Sequence, residues 1–370
     1  MANQPIPDTY PFIDTKLDGY SFWGAIDPRP ASQITNTSFE DFSGLSPDQR
    51  LARVTELQTE CTQDPDNIQC RIQLFNAVAK TGEFPTDLQL DTSLIECPDR
   101  RIHGLGRVAD VYRGKFKNHE VAIKHLRAFH MVQPSQRPAL IKAFFEEGVK
   151  WKNFNHANVL PFFGIIESAE LGGLCMVSPW RSNGTIRHYV QHYEQNGQTL
   201  QRFVANAIFA IANGLSYLHS LGVVHGDLRG VNILVCDNCQ VQISDCGVNR
   251  ITEQARDYPN TDQSGTAPWQ GPELFDPERF GMELSTPTQA TDIYAFAMVC
   301  IELHTRQSPF PGQREIKIVN SVLKGVRPPR PTETGQEMTD NLWELVTRSW
   351  AEKPNARPSA RELVEKLNQP

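Results

Sequence analysis

His225-Gly226-Asp227-Leu228-Arg229-Gly230-Val231-Asn232 is the stretch around which the rest of the chain is organised. An apolar, helix-periodic run precedes it at residues 203–218, and two short β-rich runs follow at 233–235 and 241–244. The octet therefore reads as a loop held between apolar flanks. Within it a carboxylate, Asp227, stands five residues before a carboxamide, Asn232. That pairing suits phosphoryl transfer, because the carboxylate can accept the proton of an attacking hydroxyl and the carboxamide can hold a metal ion bridging nucleotide phosphates. His, Asp and Asn are also ordinary loop residues, so the reading needs support from elsewhere in the chain.

Support comes first from the N-terminal side. Arg101 to Tyr112 reads as a strand, a glycine turn at Gly104-Leu105-Gly106 and a second strand. Glycines in such a turn let backbone N–H groups approach phosphate oxygens, although hairpin turns contain them often for other reasons. Val121-Ala122-Ile123-Lys124 follows on the next strand, and its lysine, if not a solvated edge charge, is placed to meet phosphates. Residues 138–154 read as a helix with Leu140, Phe144, Phe145, Val149 and Phe154 inward. Glu147 lies in that apolar setting and needs a cationic partner, for which Lys124 is the evident candidate. Residues 159–166 and 174–177 read as further strands, and Ser178-Pro179-Trp180 as the connection to a largely helical half.

Composition narrows the class. The chain has 370 residues, enough for two domains or for one large domain with an extension; 39% are hydrophobic and 21% charged, as in a globular protein. A net charge of −7 gives no reason to expect nucleic acid or an anionic membrane as partner. No apolar run approaches the roughly 20 residues that span a bilayer. The start, MANQPIPDTYPF, lacks the basic and apolar regions of a signal peptide, so an intracellular, cytoplasmic protein is expected. The eight cysteines are scattered, mostly in apolar runs, as reduced core residues would be. Cys236-Asp237-Asn238-Cys239 reads as a hairpin turn, since no second Cys-x-x-Cys completes a zinc site.

Residues 1–35 mix proline, polar residues and isolated aromatics without period, which predicts a disordered tail. Two helices are expected in an extension at residues 36–93. Ser46-Pro47-Asp48-Gln49 offers a cap, a first-turn proline and a capping-box glutamine, followed by a stripe of Leu51, Val54, Leu57 and Cys61. Asp64-Pro65 repeats the start signal, Ile68, Ile72, Phe75 and Ala79 form a second stripe, and Gly82 stops it. Nothing there carries chemistry, and a helical hairpin packed on the next domain or on a partner is the reading.

Taken together, the motifs resemble those of the protein kinases, over roughly residues 94–367. In family order the chain shows the glycine loop from Gly104 to Val111, the strand lysine Lys124, the helix glutamate Glu147, the loop from His225 to Asn232, Asp245-Cys246-Gly247, and Gly271-Pro272-Glu273. Asp292 and Arg357 fall where the family has an aspartate under the catalytic loop and an arginine pairing the Glu273 position. Trp180, His225-Gly226-Asp227-Leu228, Asp292-Ile293-Tyr294-Ala295-Phe296 and Leu342-Trp343-Glu344-Leu345 resemble the tyrosine-kinase-like group, especially forms numerous in mushroom-type fungi.

The resemblance implies an α+β, bilobal protein-kinase-like fold: a small antiparallel β lobe with one helix (residues 94–178) and a large helical lobe (residues 182–368), preceded by the helical extension. It implies ATP with Mg2+ or Mn2+ as cofactors and protein substrates as partners, with a regulatory partner conceivable for the extension. By the same resemblance, Lys124 holds the α- and β-phosphates and is held by Glu147, Asn232 and Asp245 bind the metal, and Asp227 orients the incoming hydroxyl. Gly104 and Gly106 would cover the phosphates. Val111 and Ala122 would pack above the adenine and Leu234 below, with Ser178 at the gatekeeper position and backbone from Ser178 through Trp180 to Arg181 along its edge.

Four positions depart from the family pattern: Ala109 for the third loop glycine, Gly226 for an arginine, Cys246 for a phenylalanine, and Gly271 for an alanine. Gly226 argues against activation through a phosphorylated loop paired to that arginine. Cys246 leaves space that the Trp151 indole, one turn after Glu147, is expected to fill, or else Trp151 is plain core. Gly265-Thr266-Ala267-Pro268-Trp269-Gln270 resembles the Ser/Thr-kinase segment, and Arg229 replaces the lysine usual in that class while still supplying a cation, so Ser/Thr specificity is favoured. Thr252, Tyr258, Thr261 and Ser264 lie in the expected activation segment. A pseudokinase scaffold, a tyrosine or dual-specificity kinase and a small-molecule phosphotransferase remain the competing readings, the last opposed by the docking segment 265–273.

Overall fold

The structure, a computed structural model, describes residues 41–97, 101–105, 109–127, 129, 132–193, 200–247, 251, 265–333, 335 and 337–368. The tail expected at residues 1–35, Gly106, and the four hydroxyl residues from Thr252 to Ser264 lie outside them.

The chain enters as a helical hairpin. α1 (Pro47–Gln63) begins as the sequence predicts: Ser46 Oγ accepts from Gln49 N at 3.3 Å, and Ser46 N donates to Gln49 Oε1 at 2.9 Å. α2 (Ile68–Thr81) starts later than Asp64-Pro65 suggests, because Asn67 supplies the cap through Oδ1, which accepts from Cys70 N at 3.0 Å. Gly82, at φ 70°, ends it. The second stripe also differs from expectation. Cys70, Arg71, Leu74, Ala77 and Val78 are buried, whereas Ile68 is 37% exposed and Ala79 lies on the surface. Two apolar sets interleave on this helix, and the one spaced 70, 74, 77, 78 makes the more complete 3.6-residue face.

A six-stranded antiparallel sheet follows. Its strands are β1 (Ile95–Glu96), β2 (Ile102–Leu105), β3 (Ala109–Phe116), β4 (His119–Leu126), β5 (Gly164–Ser168) and β6 (Gly173–Pro179). The order is β1-β3-β4-β6-β5, with β2 also paired to β3. α3 (Arg137–Lys152) packs on one face of this sheet, burying Leu140, Phe144, Glu147, Val149 and Trp151. Phe145 is only half-buried, and the strand expected from residue 159 begins only at Gly164, with Val159 making an isolated bridge to Ile243. The large lobe contains α4 (Ile186–Gln191), α5 (Leu200–Ser220), the hairpin β7 (Ile233–Val235) and β8 (Val241–Ile243), α6 (Gln289–Thr305), α7 (Glu315–Leu323), α8 (Asp340–Ser349) and α9 (Ala360–Leu367). Every residue of α6 from Thr291 to Leu303 is buried, as an all-round apolar helix at the centre of a lobe must be. This is the bilobal architecture the motifs imply. No helix among the described residues is long and apolar enough to cross a membrane.

The extension shares its core with the small lobe. Val54, Leu57, Leu74, Val78 and Leu88 belong to one buried cluster with Leu140, Phe144, Val149, Trp151, Ile165 and Met176. Polar ties reinforce it. Gln58 and Asn153 exchange two carboxamide hydrogen bonds, 3.1 and 3.0 Å, in a buried setting just past the end of α3. Leu90 N donates to Ile165 O at 2.9 Å, which fixes the extension's exit along the edge of β5. Phe75 meets Phe154 edge-on at 6.4 Å and also packs against the large-lobe cluster, so the hairpin touches both lobes.

Two outcomes follow from this packing. Leu74→Ala, at a fully buried site, is expected to cost about 2–5 kcal/mol in urea unfolding; a change under about 0.5 kcal/mol would mean that the hairpin is peripheral. His156 stacks on Tyr217 at 4.9 Å, and burial pulls its pKa down from 6.5 to about 4. The unfolded chain then binds the extra proton as pH falls below about 6.5, so stability is full above that pH and falls toward pH 4, by up to about 3 kcal/mol. His156→Gln should flatten this slope in unfolding curves taken across that range.

Candidate active site

Strand register brings the expected nucleotide-contacting residues of the small lobe onto one face. Gly104 pairs with Val111, Val111 with Lys124 and Lys124 with Met176; one row along, Ala122 pairs with Ser178. Directly opposed residues of antiparallel strands share a face, so Val111, Lys124, Ala122 and Ser178 look the same way. Val121 and Ile123, on the other face, are sealed under Phe116, Ile166, Cys175 and Val177. Across the cleft Leu234, on β7 of the large lobe, packs against the small-lobe cluster. Trp180 lies beside His103 at 5.3 Å and under the Arg113 guanidinium at 5.3 Å. The Trp180 backbone N–H donates to Glu120 O at 3.0 Å.

The loop 225–232 is built on a buried carboxylate. Asp292, in the first turn of α6, accepts from His225 N at 2.8 Å and Gly226 N at 2.9 Å, and meets His219 Nε2 at 2.9 Å. His225 is fully buried; its Nδ1 accepts from Asp227 N at 3.2 Å, so its Nε2 carries the proton and donates to Ser244 O at 2.8 Å. One imidazole thus ties the loop to the residue before Asp245. Asn232 donates Nδ2–H to the Asp227 backbone and side-chain oxygens, both at 2.8 Å, which leaves its own Oδ1 for an outside ligand. Arg229 Nε lies 3.2 Å from the Asp227 carboxylate.

Lys124 and Asp245 close the gap between the lobes at 2.6 Å. Here one expectation is corrected: Lys124 pairs with Asp245 and not with Glu147. The Glu147 carboxylate instead takes Lys150 Nζ at 2.6 Å, three residues along α3, and packs against Gly247. Lys150 lies one turn along the same helix, at the i,i+3 spacing that brings its ammonium to the buried carboxylate, and Lys124 is then satisfied across the cleft by Asp245. A second correction concerns Trp151. Its ring stacks on Phe162 at 4.8 Å and 11°, and its N–H reaches Leu160 O at 2.7 Å. Cys246 is sealed in the other apolar cluster, so the indole does not fill the space beside it. A buried indole N–H needs an acceptor, and the Leu160 carbonyl dictates where the ring goes. Burial raises the Cys246 thiol pKa well above its ordinary value, so that thiol stays neutral.

Two glycines acquire reasons that their spacing did not give. Gly226 sits at φ 80°, where a side chain is strained, so the residue standing for the family's arginine removes strain from the loop. Gly230 lies against Glu302: a Cβ there would come within 2.7 Å of the carboxylate, to which Gly230 N donates at 3.0 Å. Glu302 is 1% exposed and also accepts from Trp269 Nε1 at 3.0 Å, so it joins the catalytic loop to the segment at 265–273; burial raises its pKa. Sequence reading missed this residue, since a glutamate in an apolar helix is the only signal it leaves. Arg357 and Glu273 form the expected pair, bidentate at 2.5 and 2.8 Å and closed to solvent.

The donor set can be tested against the metal that the resemblance implies. Among the described residues no three His, Cys, Asp or Glu side chains converge to cage an ion. One carboxylate and one carboxamide oxygen, Asp245 and Asn232, are the hard, incomplete set that magnesium uses when waters and phosphates supply the rest. The residues fit.

A family profile described as protein tyrosine and serine/threonine kinase matches residues 100–367. The chain is similar to the RGS domain-containing serine/threonine-protein kinase A of Dictyostelium discoideum, 29% identical over 71% of this chain and 21% of that one. It is also similar to two Arabidopsis thaliana proteins. The serine/threonine/tyrosine-protein kinase HT1 is 28% identical over 71% of this chain and 63% of its own length. The serine/threonine-protein kinase STY17 is 28% identical over 78% and 47%. The chain thus spans between about a fifth and under two thirds of the length of these three relatives.

Gly230→Ala is expected to lower stability by about 1–3 kcal/mol through overpacking on Glu302. Pairing it with Glu302→Ala should recover part of the strain. Additive losses in a denaturant double-mutant cycle would show that the two do not meet.

Proposed function

The chain belongs to the protein tyrosine and serine/threonine kinase family, and we propose that it transfers the γ-phosphate of ATP to serine and threonine hydroxyls of proteins, in intracellular signalling. The observation that carries this reading is the convergence of four polar groups from distant parts of the chain. Lys124 meets Asp245 at 2.6 Å across the cleft, Ser244 N beside Asp245 donates to Asn232 O at 2.9 Å, and Asn232 holds the Asp227 carboxylate at 2.8 Å within the loop. In this reading Lys124 holds the α- and β-phosphates. Asp245 and Asn232 hold the metal, which when bound neutralises phosphate charge. Asp227 accepts the hydroxyl proton, kept in place by Arg229 and Asn232. Gly104, Gly106, Val111, Ala122 and Leu234 enclose the nucleotide, with Ser178 and Trp180 at the connection between lobes. Little covalent chemistry is asked of the protein, so holding these groups in position accounts for most of the rate.

Serine/threonine specificity draws support from the Gly265 to Gln270 segment and from the names of the relatives, one of which includes tyrosine, while Arg229 beside Asp227 still supplies the cation of the usual lysine. The finer kinship, with tyrosine-kinase-like forms of mushroom-type fungi, rests on Trp180, His225-Gly226-Asp227-Leu228, the Asp292 to Phe296 run and Leu342-Trp343-Glu344-Leu345. Residues 36–93 form the extension in this reading and 94–368 the catalytic domain, the extension being also the surface for a regulatory partner. One observation favours a second reading, a nucleotide-binding scaffold with weak transfer: Glu147 is engaged by Lys150 and Lys124 by Asp245.

Transfer of labelled phosphate from ATP with magnesium to the chain itself and to a generic protein separates the two. Asp227→Asn is expected to cut transfer about 10²–10⁴-fold with an unchanged melting temperature. Equal incorporation by the two proteins, or none by either, would favour the scaffold.

A further inference from the structure

The hairpin of the extension holds two thiols that the site does not use. Cys61, in the last turn of α1, and Cys70, in the first turn of α2, place their sulfurs 2.8 Å apart. Both are buried, at 3% and 4% exposure. That separation is shorter than ordinary contact between two sulfurs, and closing it to a bond needs under about 1 Å of movement. The remaining partners of Cys70 are weak: Leu57 O at 3.5 Å and a Glu60 carboxylate oxygen at 4.0 Å. The other close pair in sequence shows nothing similar. Cys236 is buried, and Cys239 faces the Tyr189 hydroxyl at 3.3 Å across the β7–β8 turn.

We propose that Cys61 and Cys70 are a redox modification site, a dithiol that closes to a disulfide and staples the helical hairpin. The proposal is independent of the kinase reading. With a small-molecule disulfide as oxidant, one cysteine thiolate attacks a sulfur of the reagent and expels one thiolate. The second cysteine then attacks the protein sulfur of that mixed disulfide and expels the other. One S–S bond is broken and one formed; the protein loses two electrons and two protons, and two small thiols carry them away.

Burial sets the rates. Desolvation raises the pKa of both thiols, so few are ionised in the closed hairpin, and reaction waits for the last turn of α1 to open around the exposed loop at residues 64–67. The same burial shields the bond once it has formed. Gln58 lies one turn before Cys61 and grips Asn153 at the end of α3, so the staple would fix the element that holds that helix.

The full-length protein would be equilibrated with reduced or oxidised glutathione, both natively and while refolding from urea, then denatured, alkylated and digested with trypsin. Both cysteines fall in one peptide, residues 54–71, which contains no internal Lys or Arg. Under reduced glutathione that peptide is expected with two labels. After refolding with oxidised glutathione it is expected unlabelled and lighter by two hydrogen atoms. Glutathione should reduce the native linked form at least about tenfold more slowly than the same form in urea. Cys61→Ser should abolish the linked peptide and leave Cys70 open to label or to a glutathione adduct. Two labels after oxidative refolding, or links only to other cysteines or to glutathione, would overturn the proposal.

Discussion

The carboxylate of Asp292 is the point from which the site is held. Buried in the first turn of the central helix α6, it receives the backbone N–H groups of His225 and Gly226. A buried carboxylate without donors would be costly, and two amides with the His219 ring satisfy it. The loop must bend to present those amides, and Gly226 at φ 80° permits the bend without strain. From there the constraint passes through the His225 imidazole to the Ser244 carbonyl, and so to Asp245 and Lys124. Reactive groups from both lobes are thus referred to one rigid helix.

A second frame of reference comes from outside the catalytic lobes. The hairpin α1–α2 and the chain at residues 86–90 complete the core on which α3 rests. The buried carboxamides of Gln58 and Asn153 exchange two hydrogen bonds, an arrangement that resists separation because each carboxamide oxygen would lose the donor it has in the other. Glu147 therefore sits on a helix whose orientation depends on residues far earlier in the chain. Its engagement with Lys150, and that of Lys124 with Asp245, stand in place of the Lys124–Glu147 pair that the resemblance implies.

Much of the fold was legible where local chemistry and periodicity agreed. The capping box at Ser46, the stop at Gly82, the turn between β7 and β8 and the long helix after residue 200 all follow from interactions within a few residues. The face of α2 was misjudged because two apolar sets lie on one helix, and only the partner surface chooses between them. Trp151 was misplaced for a similar reason. Its hydrogen-bond acceptor, Leu160 O, lies on a segment whose path no spacing announces.

The sequence by itself put forward the groups of the candidate site: Lys124, Asp227 and Asn232 from residue type and neighbours, and Asp245 through the resemblance to the protein kinases. The tertiary structure decided who pairs with whom. Ion pairs and close packing depend on distances across the chain, and these arise only when the lobes and the extension share their cores. Hence Lys124 faces Asp245, Glu302 supports Gly230, and Cys61 meets Cys70, none of which periodicity or spacing along the chain can express.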